Sequence, residues 1–292
     1  MSVDILQERI RKLKNPSVVQ LSPEPSKLPP HILEKFGATV DGCQQFCREL
    51  LGALNGVVPA VRFSFGSFVL MGAKGLECLQ DLLGFAHRQG FYVLLDAPEM
   101  LSTAAAEMTA RSLLGKESAF FCDGLVVSGY LGSDTWKPFL PFCKENKKDI
   151  FVVARTANKS APELQDLLAG SRLVHVAAAD HVNRYTADTV GKSGYSRVGI
   201  LAASSAADSL RNLRSKYPKL FLLLDGYDYP NANAKNCSYA FDKFGHGAAA
   251  CAGTSVTHAW LQAESDGTDY LDHAVAAAQR MKKNILRYIT VL

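Results

Sequence analysis

Four charged side chains, Arg62, Asp96, Arg155 and Asp225, stand within or at the ends of short apolar runs. These runs are Ala60-Val-Arg-Phe-Ser-Phe65, Phe91-Tyr-Val-Leu-Leu-Asp96, Ile150-Phe-Val-Val-Ala154 and Leu220-Phe-Leu-Leu-Leu224. Guanidinium and carboxylate groups brought together can bind and balance charge. An arginine is nonetheless a poor proton donor, because its pKa lies above about 12. The nearest further acids are Glu99 and Glu107, and no lysine occurs between Lys74 and Lys116. A glutamate at 99 could act as a general acid only with its pKa raised by burial. The plainer alternative for Asp96 is a strand-ending carboxylate that shapes its own turn.

Other reactive residue types form no recognisable machinery. The seven cysteines include no Cys-x-x-Cys pair, and Cys43 and Cys47 lie one helical turn apart in an amphipathic pattern, as core residues do. His175 and His181 flank no shared helix face, so no metal site is expected. His246 and His258 fall near the inferred ends of the last two strands, where surface or core roles outweigh ligation. Asp225-Gly-Tyr-Asp-Tyr-Pro230 is an acidic, aromatic loop that reads either as a solvated turn or as a remodelled pocket mouth. Walker, dinucleotide-binding and Gly-x-Ser-x-Gly motifs are all missing, and no cofactor is expected.

The elements that must position these residues alternate. Strands are expected at 17–21, 60–65, 91–96, 123–127, 150–154, 197–202, 220–224 and 246–251. Helices are expected at 4–14, 41–54, 73–89, 103–114, 134–146, 205–216 and 270–289, with two more between 160 and 194 joined at 170–175. The prolines at 23, 25, 29 and 30 suggest a long irregular loop after the first strand. Eight strands alternating with helices predict an α/β fold, a single-domain (β/α)8 barrel spanning 1–292 with 4–14 and 270–289 as additions. An open doubly wound sheet would need a Gly-rich turn after its first strand, and Ser22-Pro-Glu-Pro25 is not one.

Composition agrees. The chain has 292 residues, 48% of them apolar, and 32 basic against 28 acidic side chains for a net charge of +4. That charge is too slight to argue for nucleic acid. The charged N-terminal segment does not read as a signal peptide. No apolar run approaches the roughly 20 residues of a membrane span. The expectation is a reduced, cytoplasmic protein.

Taken together, five segments resemble the orotidine 5′-phosphate decarboxylase family, in its long bacterial form, over about residues 17–260. They are Pro59-Ala-Val-Arg62, Leu95-Asp-Ala97 followed by Ser102-Thr-Ala-Ala-Ala106, Asp123 through Gly129-Tyr-Leu-Gly132, Arg155-Thr-Ala-Asn158 and Asp225-Gly-Tyr227. The resemblance implies a barrel, decarboxylation of orotidine 5′-phosphate to uridine monophosphate in pyrimidine biosynthesis, and a homodimer with its active-site faces toward the interface. It also implies an array of a strand-two lysine followed by Asp-x-Lys-x-x-Asp. Here Arg62 stands at the first lysine and Asp96 matches. Pro98 occupies the proton-donating lysine position, Leu101 the final aspartate, and Ser22 the strand-one carboxylate. Thr254 stands where the family grips phosphate with arginine, and the phosphate-side glutamine after Gly-Tyr is missing.

The losses fall in one functional set while the framework is intact. The reading taken is a decarboxylase-like barrel that has lost decarboxylation and serves in binding or subunit assembly, with itself or a related barrel. The alternative is an active lyase, or a barrel with altered chemistry on Arg62, Asp96, Glu99 and Asp225. The expected site comprises Arg62 and Asp96, joined as a buried ion pair, with Arg155, Thr156, Gly226, Tyr227, Gly253 and Thr254 around a ligand. Backbone amides near 253–255 would hold a nucleotide or other phosphorylated small molecule weakly.

Overall fold

The apolar runs become eight parallel strands: β1 Ser17–Leu21, β2 Ala60–Phe63, β3 Tyr92–Asp96, β4 Gly124–Val127, β5 Asp149–Val153, β6 Val198–Ala203, β7 Leu222–Asp225 and β8 Ala248–Ala252. In the computed structural model, which describes residues 3–98, 100–263 and 265–292, each strand pairs with the next, and β8 closes on β1. The fold is a (β/α)8 barrel. Its strands are buried on both faces, so they read as continuous apolar runs rather than alternating ones. Among the described residues, no helix is long and apolar enough to cross a membrane.

One side-chain phase of the strands packs outward. Val19, Leu21, Val61, Phe63, Val93 and Leu95 join the surrounding helices in the larger core, together with Cys43 and Cys47. The other phase fills the barrel: Val18, Ala60, Tyr92, Leu94, Phe151, Leu201, Phe221 and Leu223 form a second cluster. Glycines make room for the Phe151 ring. A Cβ at Gly199 would lie 3.0 Å from that ring and 2.6 Å from the Phe221 carbonyl, and one at Gly124 would lie 3.3 Å from the ring.

The N-terminal end of the barrel is plugged by the helix Val3–Leu13, whose Val3, Leu6 and Ile10 belong to the inner cluster. The plug is pinned by polar contacts: Gly247 N–H donates to Gln7 Oε1 at 2.9 Å, and Ser193 N–H to Asp4 at 2.8 Å. Beneath it the fully buried Asp149 accepts from the Tyr92 hydroxyl and faces the Val3 N–H.

Several boundaries differ from the sequence expectation, each for a local reason. The region 160–194 holds one α-helix, Val174–Asn183, rather than two. Its first half is a short turn and a hairpin pairing Leu168–Ala169 with Arg172–Leu173. Side chains in that half bond back to the tip of β5 instead of to a helix of their own. The expected helix 134–146 breaks into 3-10 turns and the short Leu140–Glu145, since Pro138 and Pro141 cannot donate into a helix interior. After β1, Pro30 starts a helix to Phe36, because a proline is well placed at the first helical position. β2 ends at Phe63, and Phe65–Val69 is a separate helical turn ahead of Gly72–Arg88. The last helix ends at Ile285, short of 289. His246 lies before β8, at the end opposite the mouth, where its Nε2 meets the Leu292 carbonyl at 2.8 Å.

Burial pushes the Asp149 carboxyl up to about 8, against about 3.9 for an unfolded aspartate. A carboxyl with a raised folded pKa stabilises the fold fully below its unfolded value. That contribution is lost as pH rises through the folded one. Urea denaturation should therefore show stability falling between pH 5 and 8, by up to about 1.4 kcal/mol per pH unit relative to Asp149→Asn. Parallel pH profiles for the two proteins would refute the buried protonated carboxyl.

Candidate functional site

Alternation along the strands brings three charged tips to one place. Arg62 follows Ala60 on the inward phase of β2 and is paired in register with Gln20 and Leu94. Asp96 stands two residues above Leu94 on β3, and Asp225 two above the inward Leu223 on β7. Arg62 Nε donates to Asp96 Oδ1 at 2.6 Å and Nη1 to Asp225 Oδ1 at 2.6 Å. β3 is the neighbour of β2, but β7 lies beyond β1 and β8. The guanidinium therefore spans the barrel mouth.

The tie is deeply set, with the Arg62 side chain 8% exposed and the two carboxylates 26% and 25%. Burial by itself would lower the Arg62 pKa, but Asp96 and Asp225 more than reverse this and hold it above its usual value. Burial raises the Asp96 pKa, an effect that Arg62 opposes and Asp225 reinforces. The neighbouring Cys251 thiol is pushed up to about 12, chiefly by burial, and stays protonated at neutral pH. One cation held between two carboxylates is a stable charge tie.

Above the tie opens a cleft of about 450 Å³, within the range of small-ligand pockets. Gln20 and Ser22 line one wall, with Gln20 Nε2 donating to Ser22 Oγ at 3.1 Å. Gly226, Gly253 and Thr254 line the other, with Tyr229 and Pro230 from the acidic loop. Gly226 has φ +76°, and a Cβ there would lie 2.3 Å from Ala157 and 2.6 Å from the Tyr229 ring, so only glycine allows the loop to turn over the mouth. The loop closes through Asp228. Gly253 N–H donates to its Oδ2 at 2.6 Å, and the Ser255 hydroxyl donates to Oδ1. The amide at 253, expected to face a phosphate, is thus already engaged.

The remaining expected residues are elsewhere. Arg155 grips Asp166 with two bonds, Nε to Oδ1 at 2.9 Å and Nη2 to Oδ2 at 2.7 Å, and the buried His175 adds a third contact at 3.1 Å. Hydrogen bonding from Arg155 holds the Asp166 carboxyl below the usual range. Thr156 N–H donates to Gln165 Oε1 at 2.7 Å. Arg155 and Thr156 therefore anchor the β5 crossover and do not line the cleft. Tyr227 lines a separate cleft of about 430 Å³, with Arg280 and Asn284. Pro98 is half-buried and Leu101 is 84% exposed, and neither lines the mouth. Glu99 lies outside the described residues. His258 is buried between Thr257 and the Lys27 carbonyl, and burial lowers its pKa.

The second carboxylate changes the cost expected for breaking the tie. Asp96→Ala leaves Arg62 bonded to Asp225 and should cost about 1–3 kcal/mol. Arg62→Met leaves two half-buried carboxylates without a cation and should cost on the order of 3–5 kcal/mol, with relief at low pH as Asp96, whose pKa burial already raises, takes up a proton. Denaturation of both variants at pH 7 checks this. Equal costs would mean that the two carboxylates do not share the arginine.

No protein-family model matches the chain. It is 27% identical over 249 residues to orotidine 5′-phosphate decarboxylase of Rhodopirellula baltica, covering 82% of each chain. It is 26% identical over 286 residues to the Clostridium perfringens protein of the same name, covering 98% of each. Among solved structures, it superposes on Leishmania donovani OMP decarboxylase with a TM-score of 0.77 at 22% identity, over 99% of this chain and 98% of that one. It also matches Leishmania donovani UMP synthase with a TM-score of 0.78 at 23% identity, spanning 56% of that longer chain. At such identities the solved structures establish the fold. By sequence along most of its length, and by a barrel of the same architecture, the chain is similar to the orotidine 5′-phosphate decarboxylases.

Proposed function

We propose that this barrel keeps the decarboxylase scaffold for binding and subunit assembly and does not decarboxylate orotidine 5′-phosphate. The observation that carries the reading is the state of Arg62. The cation at the mouth is committed to Asp96 and Asp225, and no lysine is among the residues that line the cleft. Loss of carbon dioxide from a pyrimidine leaves a carbanion that needs a proton donor held against it. Position 98, where the resemblance puts that donor, is proline. An arginine whose pKa is raised further by its partners is a still poorer acid. Any phosphorylated ligand would be held weakly, since Arg155 is bound to Asp166.

An assembly role is supported by exposed side chains in the segments that follow three strands. Leu101, Leu131 and Leu168, in the segments after β3, β4 and β5, are 84%, 42% and 73% exposed. Exposed apolar side chains in these loops can contribute to an interaction surface. The partner proposed is a second copy of this chain or a related barrel.

Two measurements test these readings. Protein purified from a host lacking its own decarboxylase should release no carbon dioxide from orotidine 5′-phosphate, and turnover abolished by Asp96→Asn would overturn the reading. Sedimentation velocity should show a dimer that Leu168→Asp weakens, and a monomer at micromolar concentration would refute assembly.

A further inference from the structure

The loops after the seventh and eighth strands of an α/β barrel frequently build a phosphate site, from backbone N–H groups and hydroxyls that converge on one point. This chain has such donors. The Gly253 N–H and the Ser255 hydroxyl, both just past β8, aim at a single spot. The spot is filled. The carboxylate of Asp228, from the loop after β7, takes one donor on each oxygen, with Gly253 N at 2.6 Å from Oδ2. A carboxylate bridging two donors in this way makes the contacts that two phosphate oxygens would make. Gly253 brings its backbone close, since even a Cβ there would lie 3.3 Å from Oδ2.

The charge around the cleft points the same way. Its charged lining consists of Arg62, Asp225 and Asp228, with Asp96 holding Arg62 from below. That is one cation against three carboxylates, and the cation is bonded to two of them. A phosphate dianion entering here would meet a net negative wall and would have to displace Asp228 to reach its donors.

We propose that Asp228 is the specificity-determining residue of the cleft: a built-in anion that occupies the cradle after β8. With it in place, the cleft refuses phosphorylated ligands and takes small molecules that are uncharged or cationic. The proposal rests on the binding role put forward above and names the ligand class of that same site. It replaces weak phosphate binding, for the protein as it stands, with active exclusion.

The test is calorimetric titration of uridine monophosphate and of inorganic phosphate into the full chain and into Asp228→Ala and Asp228→Asn, at two salt concentrations. The unsubstituted protein should show no binding up to millimolar ligand. Asp228→Ala should bind uridine monophosphate at least tenfold more tightly, with salt weakening it. Asp228→Asn removes the charge and keeps the shape, so it should fall between, and it preserves the test if the alanine variant does not fold. Tight binding by the unsubstituted protein would overturn the proposal, and so would folded variants that gain nothing. Decarboxylation of orotidine 5′-phosphate by the unsubstituted protein is a separate outcome, and it would overturn the loss of catalysis instead.

Discussion

A guanidinium held between carboxylates from opposite sides of a barrel mouth is the constraint on which the rest of this site depends. The Arg62 tie joins β2 to both β3 and β7, and it sits at the level where the inward side chains change from apolar to polar. Below it, Leu94, Leu223 and the aromatic rings form a packed interior. Above it the cleft opens. A buried cation with two partners is costly to disturb and offers little to a ligand, because its strongest donors already have acceptors. The same residue types that could balance developing charge on a substrate here balance one another.

Much of this arrangement could be read from sequence, because barrel strands announce themselves. Short apolar runs ending in charge gave the strand tips. The inward phase of β2 and β3 placed Arg62 beside Asp96, since neighbouring strands are neighbours in sequence order too. The Arg62–Asp225 contact was harder to see. It joins residues 163 apart on strands that are not adjacent, so no local spacing encodes it. The partners of Arg155 were hidden for a related reason. It stands at a strand tip like the others, but Asp166 and Gln165 fold back to engage the tip, and hydrophobic periodicity cannot reveal that side-chain traffic. The missing helix in 160–169 and the broken one at 134–146 have the same origin, with side-chain bonds and prolines overriding an amphipathic pattern.

The acidic loop after β7 illustrates how a remodelled mouth and a solvated turn can be the same object. Its turn depends on the positive φ of Gly226, and its aspartate is exposed at the surface, as a turn residue should be. Yet the carboxylate docks on the next loop, and the tyrosine beside it becomes a wall of the cleft. Loop chemistry at the open end of a barrel can thus change while the strands below stay fixed. This is the division of labour that lets one scaffold carry unrelated activities.

The Phe151 ring inside the barrel has a consequence for how such a chain can drift. The ring is accommodated by bare backbone at Gly124 and Gly199, on the two strands that flank β5. None of the three positions is free to change alone. A side chain at either glycine collides with the ring or its surroundings, and a smaller residue at 151 leaves a void facing both. Changes at these positions are therefore coupled through the ring they share. A smaller side chain at 151 would not by itself release Gly199, because the Phe221 carbonyl would still lie 2.6 Å from a Cβ there, so the barrel interior holds its glycine through backbone as well as through the ring.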